Sequence, residues 1–437
     1  MYLYTHHITS RLQYVVNFIQ QLFTQPVQIV TAIHDVKDNE IIINYSKEVL
    51  AVKCFTIHPH ALLTESGIQA QAIDCFETNG MKAFFATGGD MPFDIFAASF
   101  YLLSRYEEYL PHTPDQFGRY PHQNALAFKE NFLHQPLINT WWTYFTQQVQ
   151  EKLTVQIAGK NQFTFLPTYD IDIAWSYKNK GFRRNLGGWC KDLLQGKFSL
   201  LSKRIAVLRG KQKDPFDAYG WLHQLHEQHR LKPYYFFLLA HHRTQYEKNI
   251  SPDNKQLIAL ISDHLIRYPV GIHPSWNSSL DEGVMNREIQ TLTQIAGKPV
   301  LASRQHYIKF TVPHTYRMLL QQGIRFDFSM GYGSINGFRA SVALPFYWYD
   351  LEQEQQTELL LFPFCFMDAN AYYEQNNTPQ DALAEMKSLY QAVKDVNGLF
   401  SMIWHNNFVG TDPAFTGWKE VYEQFMQWQV MQHSPAF

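Results

Sequence analysis

The feature that most constrains the fold is an alternation of apolar strands and helical stretches that begins near residue 160. Seven short apolar runs follow one another along the chain, at 163–172, 232–242, 269–275, 300–307, 324–329, 359–370 and 399–407. Strands that alternate with helices in this way form a parallel sheet, and this many units can close it. The pattern predicts an α/β fold class, with a distorted (β/α)7-type barrel in the C-terminal part of the chain.

The first third of the chain has a different pattern. An amphipathic helix at 11–23 precedes short β-rich runs, which lie at 27–30, 40–46, 49–53 and 82–86. A strong helix is predicted over 93–110, followed by a polar loop over 111–124. We expect a smaller α+β (mixed α/β) N-terminal domain of unknown role over 1–155 and the barrel over 156–437. In the N-terminal domain, two interpretations stay open for Glu107, Glu108, Arg119 and His122. They could belong to a site, or, as we expect, the acidic pair lies on a solvated helix face and the other two in a surface loop.

The stretch 177–213 interrupts the alternation because it is long, rich in Lys and Arg, and broken by Gly. It is interpreted as an insertion in the barrel. Three roles stay open for it: covering the barrel mouth, binding an anionic group, or forming a plain solvated segment of helix and loop.

Composition excludes some classes of protein. Lys and Arg total 37 against 39 Asp and Glu, so nothing in the net charge of −2 indicates a nucleic-acid-binding chain. The four cysteines form no C-x-x-C pair, which argues against a zinc ribbon and suits a reducing compartment. Neither a signal peptide nor an apolar run long enough to cross a bilayer is recognised, so a cytoplasmic location is expected.

Ionisable residues follow the predicted strands where each one ends. They are Asp170, Asp172, His241, His242, His273, Arg304, His306, Asp327, Asp368 and His405, with Ser329 beside Asp327. The carboxyl ends of barrel strands meet at one rim, where active sites of this architecture lie. A charged group after a buried strand is costly unless it is paired, bound to metal or solvated. The sequence therefore predicts a candidate active site at this rim.

The residue types suggest hydrolytic chemistry with a metal ion. Asp170 and Asp172 flank Ile171, so both carboxylates face the same side of a strand and repel each other unless a cation or proton intervenes. One would bind metal and the other would act as a general base. His273 would be a nitrogen ligand, for which zinc, cobalt, nickel and iron are candidates.

Two more residues complete this predicted set. Arg304 would orient the carboxylate that it faces, since a guanidinium matches the geometry of a carboxylate. His405, from the last strand, would act as a general acid across the pocket.

Five ordered motifs at these positions resemble those of the polysaccharide deacetylase family (the NodB-homology, carbohydrate esterase family four proteins) found in bacteria. They are Thr-Tyr-Asp-Ile-Asp at 168–172, Gly-Ile-His-Pro-Ser at 271–275, Ser-Arg-Gln-His-Tyr at 303–307, Asp-Phe-Ser at 327–329 and Ile-Trp-His at 403–405. The resemblance covers roughly 160–430. It implies a metal-dependent hydrolase that removes N-acetyl groups from amino sugars, with one divalent metal, zinc first.

By the same resemblance, Asp170 would be the base and Arg304 the residue that positions it. Asp172 and His273 would bind the metal, and His405 would be the acid. The substrate would be a carbohydrate, bound by residues beside the motifs: Ser275, Trp276, Tyr307, Asp327, Ser329 and Trp404.

The chain departs from the family pattern at three places. Ile171 separates two aspartates that are usually adjacent, His306 stands where the family typically has Pro, and Asn277 stands where a second histidine ligand is expected. His306, His241, His242 and the carbonyl oxygen of Asn277 are candidates for the missing ligand. The alternative is a catalytically inactive carbohydrate-binding or scaffolding protein that keeps the barrel and has lost the metal.

Overall fold

A computed structural model describes residues 1–37 and 40–432. Its N-terminal elements are β1 Tyr2–Tyr4, α1 Ser10–Ile19, β2 Gln28–Val30, β3 Ile42–Asn44, β4 Phe55–Thr56, β5 Phe76–Thr78, β6 Met81–Ala83, α2 Ile95–Leu103, α3 Leu126–Lys129 and α4 Leu137–Leu153. Strands β2, β1, β3 and β4 form a parallel sheet in that order, and β5 and β6 form an antiparallel pair. This part of the chain therefore mixes parallel and antiparallel pairing.

Two N-terminal predictions were wrong. The run 49–53 forms no strand, and Val49 is almost fully exposed. The helix predicted over 93–110 ends at Leu103, because Arg105 adopts a left-handed backbone conformation with φ of 53°. The chain then turns inward, so Glu107 and Glu108 are buried instead of lying on a solvated face.

The remaining elements alternate as expected. They are β7 Thr164–Ile171, α5 Phe182–Leu194, α6 Phe198–Leu208, α7 Tyr219–Gln228, β8 Tyr234–Leu238, α8 Lys255–Arg267, β9 Val270–His273, α9 Glu282–Ala296, β10 Ala302–Ser303, α10 His314–Gln321, β11 Phe326–Asp327, β12 Phe346–Asp350, β13 Gln355–Leu361, β14 Phe366–Met367, α11 Pro379–Lys394, β15 Leu399–His405 and α12 Trp418–Met431. The stretch 177–213 contains α5 and α6, which pack against each other as a hairpin between β7 and α7.

Nine of these strands form one sheet in the order β12, β13, β11, β10, β9, β8, β7, β15, β14. All neighbours are parallel except β12 and β13. The molecule is thus a mixed α/β protein with a large parallel sheet, as predicted. Aromatic and aliphatic side chains of the strands and of the covering helices, such as Tyr169, Phe237, Leu319 and Met402, form the buried core.

The predicted strand at 359–370 is split into the end of β13 and β14. Between them, the backbone amides of Phe362 and Phe364 donate to the carbonyls of Asp327 and Met330 at 2.8 and 3.1 Å. The amide of Cys365 then donates to the carbonyl of Ser401 at 3.2 Å. This segment is therefore bonded to strands on both flanks of the sheet, while full closure of the barrel stays a prediction.

Within residues 1–37 and 40–432, no helix has both the length and the apolar character needed to cross a bilayer.

Candidate active site and metal centre

The site lies where β7, β9 and β15 end on the same rim of the sheet. His405 pairs in register with Asp170, and His273 pairs with Leu238 of β8. Asp172 is the first residue after β7, two positions beyond Asp170. The parallel register of the strands therefore brings together side chains from distant parts of the chain.

Asp170 and Arg304 form a buried ion pair. The Arg304 Nη1 donates to Asp170 Oδ1 at 2.9 Å, and its Nε donates to the carbonyl of Phe328 at 3.0 Å. The guanidinium also lies over the Phe236 ring, 4.5 Å from its centroid. Both partners are almost fully buried. Arg304 is therefore held on three sides and fixes the orientation of the Asp170 carboxylate.

Asp172, His273 and His306 meet at one point. His273 Nδ1 lies 2.6 Å from the carbonyl of Arg304, and His306 Nε2 lies 3.3 Å from the carbonyl of Tyr246. A carbonyl only accepts, so these two nitrogens carry the hydrogens of the neutral rings. The lone pairs of His273 Nε2 and His306 Nδ1 then face each other at 3.0 Å, with Asp172 Oδ1 at 3.2 and 3.6 Å respectively.

Three acceptor atoms that face one another repel unless a cation or a proton lies between them. With both rings neutral, Asp172 Oδ1 is buried without a hydrogen-bond partner, so a metal ion or a proton on His273 Nε2, 3.2 Å away, would relieve this repulsion. One carboxylate and two imidazoles are the donor set that zinc and related divalent metals accept. The residues present thus fit a divalent metal.

The charges around this point oppose the effect of burial. Burial lowers the pKa of His273, but Asp170 and Asp172 outweigh it, and the pKa lies above its ordinary value. Burial lowers the pKa of His306, and the nearby Asp172 carboxylate does not offset it. Burial raises the pKa of Asp172, but His306, His273 and His405 lower it well below its usual range, so the carboxylate stays ionised.

His405 faces this group from the opposite side of the cavity. Its Nδ1 lies 2.6 Å from Asp368 Oδ1, and its backbone amide donates to Asp368 Oδ2 at 2.7 Å. Its Nε2 points toward Asp172, 3.7 Å from Oδ2. Burial lowers the pKa of His405, but the Asp368 carboxylate outweighs it and raises the pKa to about 10. Near neutral pH the ring therefore carries a proton that it can donate into the cavity.

The loop that carries His306 has an unfavourable backbone. Tyr307 and Ile308 both adopt positive φ, of 59° and 54°. Such conformations cost roughly 1–2 kcal/mol per residue other than Gly, and they persist where surrounding contacts impose them. Here Arg119 Nη1 donates to the carbonyl of Tyr307 at 3.0 Å. The strained turn therefore aims His306 at His273, and Arg119 supports it from the N-terminal part of the chain.

A cavity of about 420 Å³ opens over these groups. Its wall combines aromatic and cationic side chains, including Arg119, Tyr246, Lys248, Tyr307, Tyr373 and Phe408. Tyr246 is backed by Trp276, with stacked rings whose centroids lie 3.7 Å apart. The backbone amide of Trp276 in turn donates to Glu247 at 2.7 Å, which fixes this wall. Trp276 thus supports the cavity from behind instead of lining it.

Several predicted residues lie outside the cavity. Asn277 is exposed, His242 is exposed, and His241 bonds Thr291 at 2.9 Å. Ser275 donates its backbone amide to Glu288 at 2.8 Å. Of the four histidine and asparagine candidates for the missing ligand, the structure brings only His306 to Asp172 and His273.

The other three predicted substrate-binding residues are also placed elsewhere. Asp327 is buried and accepts from Ser303 at 2.8 Å, and Ser329 accepts from the amide of Gln305 at 2.9 Å. Trp404 points to the opposite face of β15 and packs on Trp418 and Tyr422. Asp327 and Ser329 therefore support the strand that carries Arg304, and Trp404 belongs to the core.

Sequence reasoning placed Asp368 at the predicted rim without giving it a role, and it preferred a solvated surface loop for Arg119 over membership of a site. Asp368 carried a usable signal, because it ends a strand as the other site residues do. Arg119 carried none, since an arginine in a polar loop is ordinarily solvated and only the packed structure brings it to the cavity.

Residues 1–154 match a family of unknown function (DUF7033). No curated protein matches the chain.

Three solved structures are similar to this chain. A protein from Mycobacterium smegmatis described as a polysaccharide deacetylase is 14% identical, with a TM-score of 0.39 over 64% of this chain and 87% of its own. A polysaccharide deacetylase from Bacillus cereus is 10% identical, with a TM-score of 0.28 over 62% and 89%. IcaB from Ammonifex degensii is 14% identical, with a TM-score of 0.23 over 39% and 85%. These values are too low to carry an activity from those proteins to this chain.

Proposed function

We propose that the protein is a metal-dependent hydrolase that removes an N-acetyl or other N-acyl group from an amino sugar. The observation that carries the proposal is the convergence of three acceptors, Asp172 Oδ1, His273 Nε2 and His306 Nδ1, within 3.6 Å of one another. A structural cluster would pair such atoms with donors. Here they face one another beside a cavity, which favours a bound divalent metal.

Asp172, His273 and His306 would hold the metal, with zinc as the first candidate. When bound, it would supply Lewis acidity toward the amide carbonyl and lower the pKa of a water. Asp170 lies beside this point, 3.9 Å from His273 Nε2, and Arg304 holds its carboxylate in one orientation. Asp170 would take a proton from the attacking water while the oxygen bonds to the carbonyl carbon.

His405 would complete the reaction on the other side. As the carbon–nitrogen bond breaks, Nε2 would give its proton to the departing amine, and Asp368 would hold the ring in the required orientation. The net reaction consumes one water and forms a carboxylic acid and an amine, which ionise to a carboxylate and an ammonium group. Asp170 ends the step protonated and His405 neutral, and exchange of one proton with solvent at each restores both without another reactant.

The walls of the cavity suit a sugar. Tyr246, Tyr307 and Tyr373 offer aromatic faces that can pack on a pyranose ring, while Asn407 offers an amide group for hydroxyls. We therefore infer a carbohydrate substrate, acted on by a protein that we expect in the cytoplasm.

The test is release of acetate from oligomers of N-acetylglucosamine by untagged protein supplied with zinc or cobalt. Asp170→Asn should lower kcat about 10²- to 10⁴-fold and leave KM nearly unchanged, because the base acts on the reaction step. His241→Ala is the matched control, since it removes a histidine at a strand end that lies outside the cavity. If calorimetry detects sugar binding but no added metal supports acetate release, the protein is instead a catalytically inactive carbohydrate-binding protein.

A further inference from the structure

The hairpin of α5 and α6 leaves an apolar surface without a partner among the described residues. On α5, Phe182, Leu186, Trp189 and Leu193 recur at intervals of four, three and four residues and are all exposed. This spacing places them along one side of the helix. Phe182 is 80% exposed, and the other three are 37–46% exposed. Scattered single apolar residues are common on surfaces, but a continuous stripe is not.

The second helix extends the same surface. Phe198, Ile205 and Leu208 of α6 are exposed, whereas Leu201 and Val207 are buried. At the C-terminal end of α5, Leu194 is 88% exposed. The hairpin therefore presents apolar side chains of both helices to the surroundings.

The charge of this segment is opposite to that of the rest of the chain. Residues 177–213 contain eleven Lys and Arg and a single acidic residue, Asp192, for a net charge of +10. Because the whole chain carries −2, the remaining residues carry −12. Lys191 and Lys197 are exposed close in sequence to apolar residues of the two helices. The hairpin thus combines an apolar surface with concentrated positive charge.

The hairpin is fixed beside the cavity. Arg184 donates to the carbonyls of Asn249 and Lys248 at 2.8 and 2.9 Å, and Lys203 donates to the carbonyl of Thr411 at 3.0 Å. Lys248 lines the cavity. A surface that binds the hairpin would therefore lie next to the cavity.

We propose that the α5–α6 hairpin docks the protein on an anionic lipid membrane. The apolar side chains would enter the boundary between headgroups and acyl chains, and the lysines and arginines would pair with lipid phosphates. The helices have 13 and 11 residues, so they span about 20 and 16 Å, which suits lying in the interface rather than crossing a bilayer core of about 30 Å.

Other occupants fit less well. An anionic polysaccharide would pair with the charges but has no use for exposed Phe182, Leu194 and Phe198. A second copy of the chain would bring two hairpins of charge +10 together if it used the same surface. A membrane matches both properties. The inference does not depend on the proposed hydrolase, since it concerns binding and not catalysis.

The experiment is cosedimentation of the full chain with vesicles of phosphatidylcholine alone and of phosphatidylcholine mixed with phosphatidylglycerol. We expect binding to the mixed vesicles that weakens as salt is raised. Leu194→Ser with Phe198→Ser should lower the partition coefficient by about tenfold or more, as should Lys191→Glu with Lys197→Glu.

Two control variants make the same number of changes outside the hairpin. Val49→Ser with Ile266→Ser replaces two exposed apolar residues, and Lys160→Glu with Lys298→Glu reverses two exposed charges. Both should bind as the unaltered protein does, and unchanged thermal unfolding shows that each variant folds. Absence of binding to the mixed vesicles at low salt would overturn the proposal. So would binding that the hairpin variants leave intact, binding to a soluble polyanion but not to vesicles, or a hairpin-dependent dimer that does not bind vesicles.

Discussion

Two buried clusters of charge in this protein are built in opposite ways. One is the joint cluster, formed by Arg105, Glu107, Glu108 and Arg339, which connects the N-terminal part of the chain to the large sheet. Arg105 and Arg339 both donate to Glu108, at distances of 2.6 to 2.8 Å. The other is the site cluster, formed by Asp170, Asp172, His273, Arg304, His306, Asp368 and His405.

The two clusters differ in whether their buried polar atoms all have hydrogen-bond partners. In the joint cluster, no buried side-chain nitrogen or oxygen lacks a hydrogen-bond partner. In the site cluster, Asp172 Oδ1 and Arg304 Nη2 are buried without one. A buried charge is tolerated when its partners are complete, and an incomplete set carries a cost that folding alone does not explain. Complete pairing therefore fits a structural role for the joint cluster, and incomplete pairing beside a cavity fits the function proposed for the site cluster.

The largest effect that we expect is the loss of stability caused by a substitution in the joint cluster. Glu108→Ala leaves two buried guanidiniums without their shared carboxylate, and should lower the free energy of unfolding by about 3–5 kcal/mol. Unfolding by denaturant measures this change in the free energy of unfolding. Glu352→Ala is the matched control, because Glu352 also pairs with an arginine, Arg317 at 2.9 Å, but is half exposed. Its effect should stay within about 1 kcal/mol. If the two substitutions lowered the free energy of unfolding equally, the joint cluster would not have the structural role described here.

Lowering the pH should reduce the free energy of unfolding by a somewhat smaller amount. Burial raises the pKa of Glu108, but Arg339 and Arg105 outweigh it and lower the pKa to about 2, from an ordinary value of 4.5. A carboxyl with a lowered pKa in the folded state stabilises the protein above its unfolded pKa. This contribution is lost as the pH falls from about 4.5 to 2, and amounts to at most about 3 kcal/mol.

Glu108→Gln, which keeps the shape and removes the titration, should flatten the fall in unfolding free energy over that range of pH. Glu352→Gln should not. A slope that is the same in both variants and in the unaltered protein would show that Glu108 does not account for the acid sensitivity.

The smallest expected effect is the stabilisation of the protein by zinc. It tests directly whether a metal ion binds where the site cluster lacks hydrogen-bond partners. A ligand that binds only the folded state stabilises it by about 2.7 kcal/mol at a hundred times its Kd. Zinc should therefore stabilise untagged protein against unfolding, and His306→Ala should weaken this stabilisation strongly. Asn277→Ala should leave it unchanged, because that side chain is exposed and outside the cavity. The reverse result, with Asn277 required and His306 dispensable, would contradict the ligand set.

Much of the site could be anticipated from the chain because strand ends in a parallel sheet share one rim. Asp170, Asp172, His273, Arg304 and His405 each follow an apolar run, and their convergence depends only on the order of strands. The alternation of side chains along a strand also places Asp170 and Asp172 on one side without reference to any other part of the molecule.

The rest depended on packing. Local periodicity carries no information on how a turn with two left-handed residues, Tyr307 and Ile308, aims His306 at His273. Nor does it show that Arg119, from a polar loop nearly 190 residues earlier in the chain, bonds that turn. The sequence by itself determined the succession of elements and the residues that end the strands. Only the tertiary structure decided which of them meet, because the directions of side chains from distant segments are set by contacts that form when the chain is packed.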